Sequence, residues 1–134
     1  MGTIQKEDQT LIQAAHEVRQ RAYAPYSGYR VGAALRTKGG KVFTGVNVEN
    51  ASYPLSICAE RTAVFKAVSE GEMSFDTVVV ATENGGTPCG ACRQVLSEFG
   101  LDIRVLIINQ ERDIVLETTV GELLPGAFGG KDLE

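Results

Sequence analysis

Cys58, Cys89 and Cys92 are the only cysteines of the chain, and their types and spacing suit a metal ion. Pro88-Cys89-Gly90-Ala91-Cys92 places two thiols at the first turn of a predicted helix, where both can converge on one ion. Cys58, 31 residues before Cys89 (89 − 58), opens another predicted helix. Both helices flank the same apolar run, Thr77 to Ala81, so their N-termini can lie side by side and present three sulfurs to one point. Zinc takes four tetrahedral ligands; a structural site draws all four from protein, whereas a catalytic site leaves one for water. There is no fourth cysteine, and the single histidine, His16, lies in the first predicted helix. The expectation is one Zn²⁺ per chain in an open site.

Glu60 stands two residues after Cys58 and can turn toward that open position. A carboxylate beside metal-activated water can take its proton and later deliver it, the general acid–base role. The plainer alternative is an acid favoured in a helix first turn by the dipole. Three thiolates would leave the zinc centre with a formal charge of −1 and blunt its effect on water. Two helix N-termini, and Arg61 behind the sulfurs, offset that charge. A Cys-x-x-Cys redox pair and a closed structural zinc site remain competing readings. Asn47 and Glu49, two apart at a strand end, face the same way. Together they can bind a sugar hydroxyl as donor and acceptor, unless they are simply solvated loop residues.

The elements that must position these groups follow from composition and periodicity. With 134 residues, 1–134 reads as a single domain with one core. Thirteen basic and 17 acidic residues give a net charge of −4 without a basic run, which argues against a nucleic-acid strand or anionic membrane as partner. A small uncharged ligand fits better. No apolar stretch approaches the roughly 20 residues needed to span a bilayer. Met1 to Asp8 lacks a signal peptide's apolar core, and Lys6 replaces the Ser or Thr that a myristoylated Gly2 would want. A cytoplasmic protein with reduced thiols is expected.

Leu11, Ile12, Ala15, Val18 and Ala22 recur at helical spacing before Pro25. Alternation predicts strands from Val31 to Arg36 and Val42 to Val48, joined at Lys38-Gly39-Gly40-Lys41. A loop from Glu49 to Ile57 leads to a helix over Cys58–Ser69. Thr77–Ala81 is a strand buried on both faces. A helix from Cys89 to Phe99, strands Ile103–Ile108 and Asp113–Glu117, and a helical turn at Gly121–Leu124 complete the pattern. This predicts a three-layer α/β/α domain around a mixed five-stranded sheet.

The residues Cys58-Ala59-Glu60-Arg61-Thr62-Ala63 and Pro88-Cys89-Gly90-Ala91-Cys92-Arg93-Gln94 resemble the small zinc-dependent cytidine deaminases. The likeness extends through Tyr23-Ala24-Pro25-Tyr26-Ser27, Val31-Gly32-Ala33-Ala34, Asn47-Val48-Glu49-Asn50-Ala51 and Leu123-Leu124-Pro125-Gly126-Ala127-Phe128. It implies hydrolysis of cytidine and 2′-deoxycytidine to uridine and 2′-deoxyuridine plus ammonia, in pyrimidine salvage. Zinc-bound hydroxide would attack C4 while Glu60 shuttles protons to N3 and the departing amine. Backbone carbonyls near Ala59 and the Thr87-Pro88 turn would hold N4, and Asn47 and Glu49 the ribose 3′-hydroxyl. Tyr29 stands where the family often has Phe beside the base, its hydroxyl being a departure; Tyr53 would lie near the sugar, in its own or a neighbouring subunit's site. Phe128 would reach a partner's site in a homotetramer. Two rivals are a deaminase of a cytosine nucleoside antibiotic and a non-enzymatic zinc-stabilised binding domain.

Overall fold

A computed structural model describes residues 5–134; the readings of the leading segment that rest on Met1–Ile4 lie outside them. The elements are α1 (Lys6–Val18), β1 (Gly32–Thr37), β2 (Val42–Val46), α2 (Ala59–Ser69), β3 (Phe75–Ala81), α3 (Gly90–Ser97), β4 (Arg104–Ile108), β5 (Ile114–Thr119) and α4 (Val120–Leu123). The strands form one sheet in the order β2-β1-β3-β4-β5. Only β3 and β4 are parallel; every other neighbour pair is antiparallel, so the sheet is mixed.

The continuous apolar runs of β3 and β4 are explained by cover on both faces. On one face Ala33, Leu35, Val78, Val80, Val105 and Ile107 pack with Ala63, Val64 and Ala67 of α2 and Leu96 of α3. On the other, Ala34, Val79, Leu106 and Ile108 pack with Leu11, Ile12 and Ala15 of α1. The three layers expected from the sequence are therefore present.

The chain order places two helix N-termini together. Helix α2 runs into β3, and α3 leaves β3 and returns to start its parallel neighbour β4. Lying against the same face, both helices begin at the carboxyl end of β3. Gly45 of β2 permits the close approach of α2. A Cβ there would lie 2.5 Å from both the Ala59 carbonyl oxygen and the Ala63 nitrogen, inside van der Waals contact with backbone. Gly32 of β1 admits α1 in the same way, 2.4 Å from the Ala15 carbonyl oxygen.

Several boundaries differ from the periodic reading. The helical pattern through Ala22 ends as α-helix at Val18 and continues as one 3-10 turn, Arg19–Arg21. The alternation through Val48 outlasts its strand: β2 stops at Val46, and Val48 forms isolated bridges with Tyr23 and Ile57. The expected loop from Glu49 to Ile57 contains a 3-10 turn, Tyr53–Leu55, and the aperiodic tail ends in another, Gly130–Leu133. Strand β5 runs to Thr119, whose hydroxyl then caps α4 by accepting from the Glu122 N–H at 3.2 Å.

One charged group is buried below α1. Asp8 is 1% exposed and accepts from Arg36 at 3.1 Å and from Arg104 at 3.2 Å. Burial alone would raise its carboxyl, but the two guanidinium partners outweigh it and hold the group below the usual carboxylate range. A depressed native value contributes stability that is present above the unfolded aspartate value and is lost as pH falls through the native one. Asp8→Asn removes the shared partner of two guanidiniums, which keep Asp76 and Glu117, and should cost about 2 kcal/mol at neutral pH. Urea titrations should show the gap between variant and wild type closing as the pH drops below about 4; a gap constant with pH would refute this role for the charge.

Candidate metal and substrate site

Cys58 and Cys89 are themselves the N-cap residues of α2 and α3, and Cys92 follows within the first turn of α3. Their three sulfurs lie within 4.8 Å of one another. Cys58 Sγ and Cys89 Sγ are 3.8 Å apart, close to the roughly 3.8 Å that two thiolates share when each sits about 2.3 Å from a tetrahedral zinc ion. Neither cysteine caps its helix through the side chain, so the first-turn N–H groups stay turned toward the sulfurs' end of the helices. Among the described residues this is the one cluster of three potential ligands. The donor set fits zinc, and no histidine or carboxylate joins it.

Arg61 lies behind the sulfurs and donates from Nη2 to Cys58 Sγ at 3.2 Å. The hydrogen bond from Cys92 and the Arg61 guanidinium bring the Cys58 thiol down to about 5, against the effect of burial. Cys92 moves the opposite way, pushed up by donating to Cys58 and by burial. The two share one negative charge, and a divalent cation among them displaces the remaining thiol protons.

Glu60 is 4% exposed. Burial pushes its carboxyl up to about 7, and the Cys58 charge adds to the rise. A buried carboxyl next to three sulfurs and opening on a cavity is placed to exchange a proton with a group bound there.

The cavity has a volume of about 500 Å³, and Cys58, Ala59, Glu60, Arg61 and Cys89 line it. Tyr29, Asn47, Glu49 and Tyr53 line it as well. Every predicted site residue except Cys92 and Phe128 lines this cavity: Cys92 is buried, with its sulfur within 4.8 Å of those of Cys58 and Cys89, and Phe128 lies elsewhere. Phe128 is 55% exposed, lines a separate shallow depression beside Leu124, and is tied to α3 only where its carbonyl accepts from Gln94 Nε2 at 3.0 Å.

The placement of Asn47 and Glu49 differs from two free side chains aimed at a ligand. Asn47 Oδ1 accepts from the Val31 N–H at 2.9 Å, and its Nδ2 donates to the Tyr29 carbonyl at 2.8 Å. One N–H and one lone pair of the amide remain for a ligand. Glu49 Oε1 accepts from the N–H groups of Tyr26 and Ser27 at 3.0 and 3.1 Å, and Oε2 accepts from the Ser27 hydroxyl. The Ser27 bonds hold its carboxyl below the ordinary range. Both side chains therefore fold the 26–31 segment over the cavity as well as facing it.

The Ala59 carbonyl points at β2, where the close approach of Gly45 admits it. The first-turn N–H of Ala59 has no partner within its helix and is left to meet a ligand.

Three contributors were not singled out from the sequence. Arg93 donates to the Pro88 carbonyl at 2.8 Å, the Thr87 hydroxyl at 3.1 Å and the Leu123 carbonyl at 2.8 Å, fixing the turn that carries Cys89. Its position one helical turn after Cys89 was the available signal. Thr82 accepts from the N–H groups of Gly85 and Gly86 at 2.7 and 2.9 Å. Asn84 accepts from the Tyr29 hydroxyl at 2.7 Å across 55 residues, which no local pattern announces.

A mixed sheet carrying two cysteine-capped helices over a buried glutamate defines a zinc-dependent hydrolytic deaminase fold, and the comparisons with known proteins agree. Residues 5–108 match the family described as the cytidine and deoxycytidylate deaminase zinc-binding region, and the chain belongs to that family. A probable cytidine deaminase of Dictyostelium discoideum is 52% identical over 132 residues, covering 96% of this chain and 88% of the relative. The cytidine deaminase of Halalkalibacterium halodurans is 51% identical, covering 93% and 96%. The crystal structure of cytidine deaminase from Burkholderia pseudomallei superimposes with a TM-score of 0.85 at 50% identity, covering 90% and 98%. More distant is the blasticidin-S deaminase of Bacillus cereus, 33% identical over 91% and 92% of the two chains.

Purified protein should carry one zinc per chain by elemental analysis. Cys92→Ala should lower that to well under half after dialysis against a mild chelator, with a lowered melting temperature, because a two-sulfur site loses much of its binding energy. Full zinc retention by the variant would remove Cys92 from the ligand set.

Proposed function

We propose that this chain is a cytidine deaminase that hydrolyses cytidine and 2′-deoxycytidine to uridine and 2′-deoxyuridine with release of ammonia, acting as one domain in the cytoplasm. The observation that carries this reading is the buried Glu60 carboxylate beside three converging sulfurs at the end of a cavity of nucleoside size. Cys58, Cys89 and Cys92 would hold Zn²⁺, which supplies Lewis-acid activation of water at neutral pH.

Glu60 takes a proton from the attacking water and gives it to N3 of the cytosine ring. A second transfer, again through the Glu60 carboxyl, reaches the amine on C4, which leaves as ammonia while the oxygen of water stays on C4. The Ala59 N–H, at the positive end of α2, suits the O2 carbonyl of the base. The aromatic face of Tyr29 packs against the ring, and Asn47 and Glu49 meet the sugar 3′-hydroxyl, which both nucleosides share. Arg61, bonded to Cys58, spreads the charge of the sulfurs and acts through that ligand.

A neutral nucleoside suits this cavity better than a phosphorylated one. Arg61 is its one basic side chain, and Cys58 already holds that guanidinium. The exposed aromatics Tyr53, 74% accessible, and Phe128 point to assembly, and a homotetramer in which they complete neighbouring cavities is the arrangement the resemblance favours.

Three measurements test these assignments. Glu60→Gln should keep its zinc and lose at least 1,000-fold in kcat, read by the ultraviolet change of cytidine; near-normal turnover would overturn the proton role. Running the same assay on an aminoacylated cytosine antibiotic decides against the rival substrate if cytidine alone is consumed. Truncation after Ala127 should lower kcat/KM on cytidine by about ten-fold if Phe128 completes a neighbouring site, and unchanged kinetics in a chain that remains tetrameric by sedimentation would refute a shared site.

A further inference from the structure

Part of the cavity lining is closed by a contact between two segments far apart in sequence. The loop from Thr82 to Pro88 leaves β3 at its carboxyl end and delivers Cys89 to the start of α3. It is held at two places. Arg93 fixes its far end through Thr87 and Pro88. At its near end Thr82 accepts the Gly85 and Gly86 N–H groups, and the Tyr29 hydroxyl donates to Asn84 Oδ1 at 2.7 Å. Tyr29 itself belongs to the 26–31 segment that Asn47 and Glu49 hold in place.

Gly86 shows how tightly that near end is drawn in. A Cβ on Gly86 would lie 2.6 Å from the Tyr29 hydroxyl oxygen, while its next neighbours, Asn84 Oδ1 and Tyr29 Cζ, stand at 3.8 Å. The hydroxyl alone fills the space a side chain would take. Gly86 does not have a positive φ, so the conflict is purely steric and backbone strain plays no part. Gly86 and Tyr29 both line the cavity.

We propose that the Tyr29 hydroxyl and Asn84 form a latch that draws the Gly85–Gly86 loop against the 26–31 segment and thereby sets the width of the base end of the cavity. Tyr29 thus has a role beyond the face of its ring, and Asn84 is a positioning residue that acts through Tyr29 and Gly86. Because Arg93 anchors the Cys89 end separately, the latch governs ground-state binding of the base and leaves the sulfurs in place. The inference rests on the cavity being the nucleoside site.

The test is a double-mutant cycle on deamination of cytidine by zinc-loaded protein. Tyr29→Phe and Asn84→Ala should each raise KM about five-fold, the size of one lost hydrogen bond, with a smaller fall in kcat and unchanged zinc content. The double variant should be no worse than either single one. Gly86→Ala should raise KM in the presence of Tyr29, because the hydroxyl must swing away from Asn84 to make room, yet add nothing in the Tyr29→Phe background, where the clashing oxygen is gone. Independent, multiplying effects of Tyr29→Phe and Asn84→Ala would overturn the latch. Equal damage from Gly86→Ala in both backgrounds would overturn it as well. If Gly86→Ala does not fold, the cycle between Tyr29 and Asn84 decides alone. Failure of the wild-type protein to turn over cytidine would count against the assigned activity, which these comparisons between variants do not test.

Discussion

Two helices that start at the same edge of one sheet, each capped by a cysteine, are the constraint on which this molecule is built. Neither helix alone offers more than a pair of thiols, and a pair does not make a tetrahedral site. The third sulfur arrives only because α2 runs antiparallel to β3 while α3 turns back from it, so both N-termini meet at one end of that strand. The close approach of α2 to β2 at Gly45 then fixes how deep Cys58 and Glu60 sit. A shift of α2 relative to the sheet therefore moves Cys58 and Glu60 together.

The electrostatics of the site suit a cation. Cys58 is held at about 5 by Cys92 and Arg61, which leaves a negative sulfur next to a buried carboxyl. Glu60, with little water to stabilise its charge, responds by rising to about 7. Each acidic group thus works against the other in the absence of metal. A divalent ion among the sulfurs removes that conflict, since it attracts the thiolates and the carboxylate alike. Helix N–H groups and Arg61 are there for the opposite reason, to keep three thiolates from cancelling the ion's charge entirely.

The sequence carried the parts whose cause is local or periodic. Apolar runs announced β3 and β4 because both faces of those strands are covered, and the spacing of Cys58, Glu60, Cys89 and Cys92 carried the metal site because helix first turns fix where such side chains point. What stayed illegible depends on contacts between distant segments. The alternation through Val48 does not reveal that β2 ends at Val46, since Val48 remains extended while pairing with Tyr23 and Ile57. Asn47 and Glu49 were visible as polar groups near a strand end, but their bonds to Val31, Tyr29, Tyr26 and Ser27 were not. Arg93 belonged to a matched motif without a stated task; in the fold it ties Thr87, Pro88 and Leu123 together.

Those long-range bonds divide the cavity into two mechanical units. The metal side is carried by helix ends, packed into the core through Ala63, Val64 and Leu96, and braced by Arg93. The substrate side is carried by loops whose order comes from a few side chain to backbone hydrogen bonds, each worth about 1 kcal/mol. Loops of this kind open locally at far lower cost than the core. The sulfurs and Glu60 sit on the stiff side, and the loops form the adjustable wall. That separation lets the hydrogen bond between Tyr29 and Asn84 shape the wall without loosening the three sulfurs.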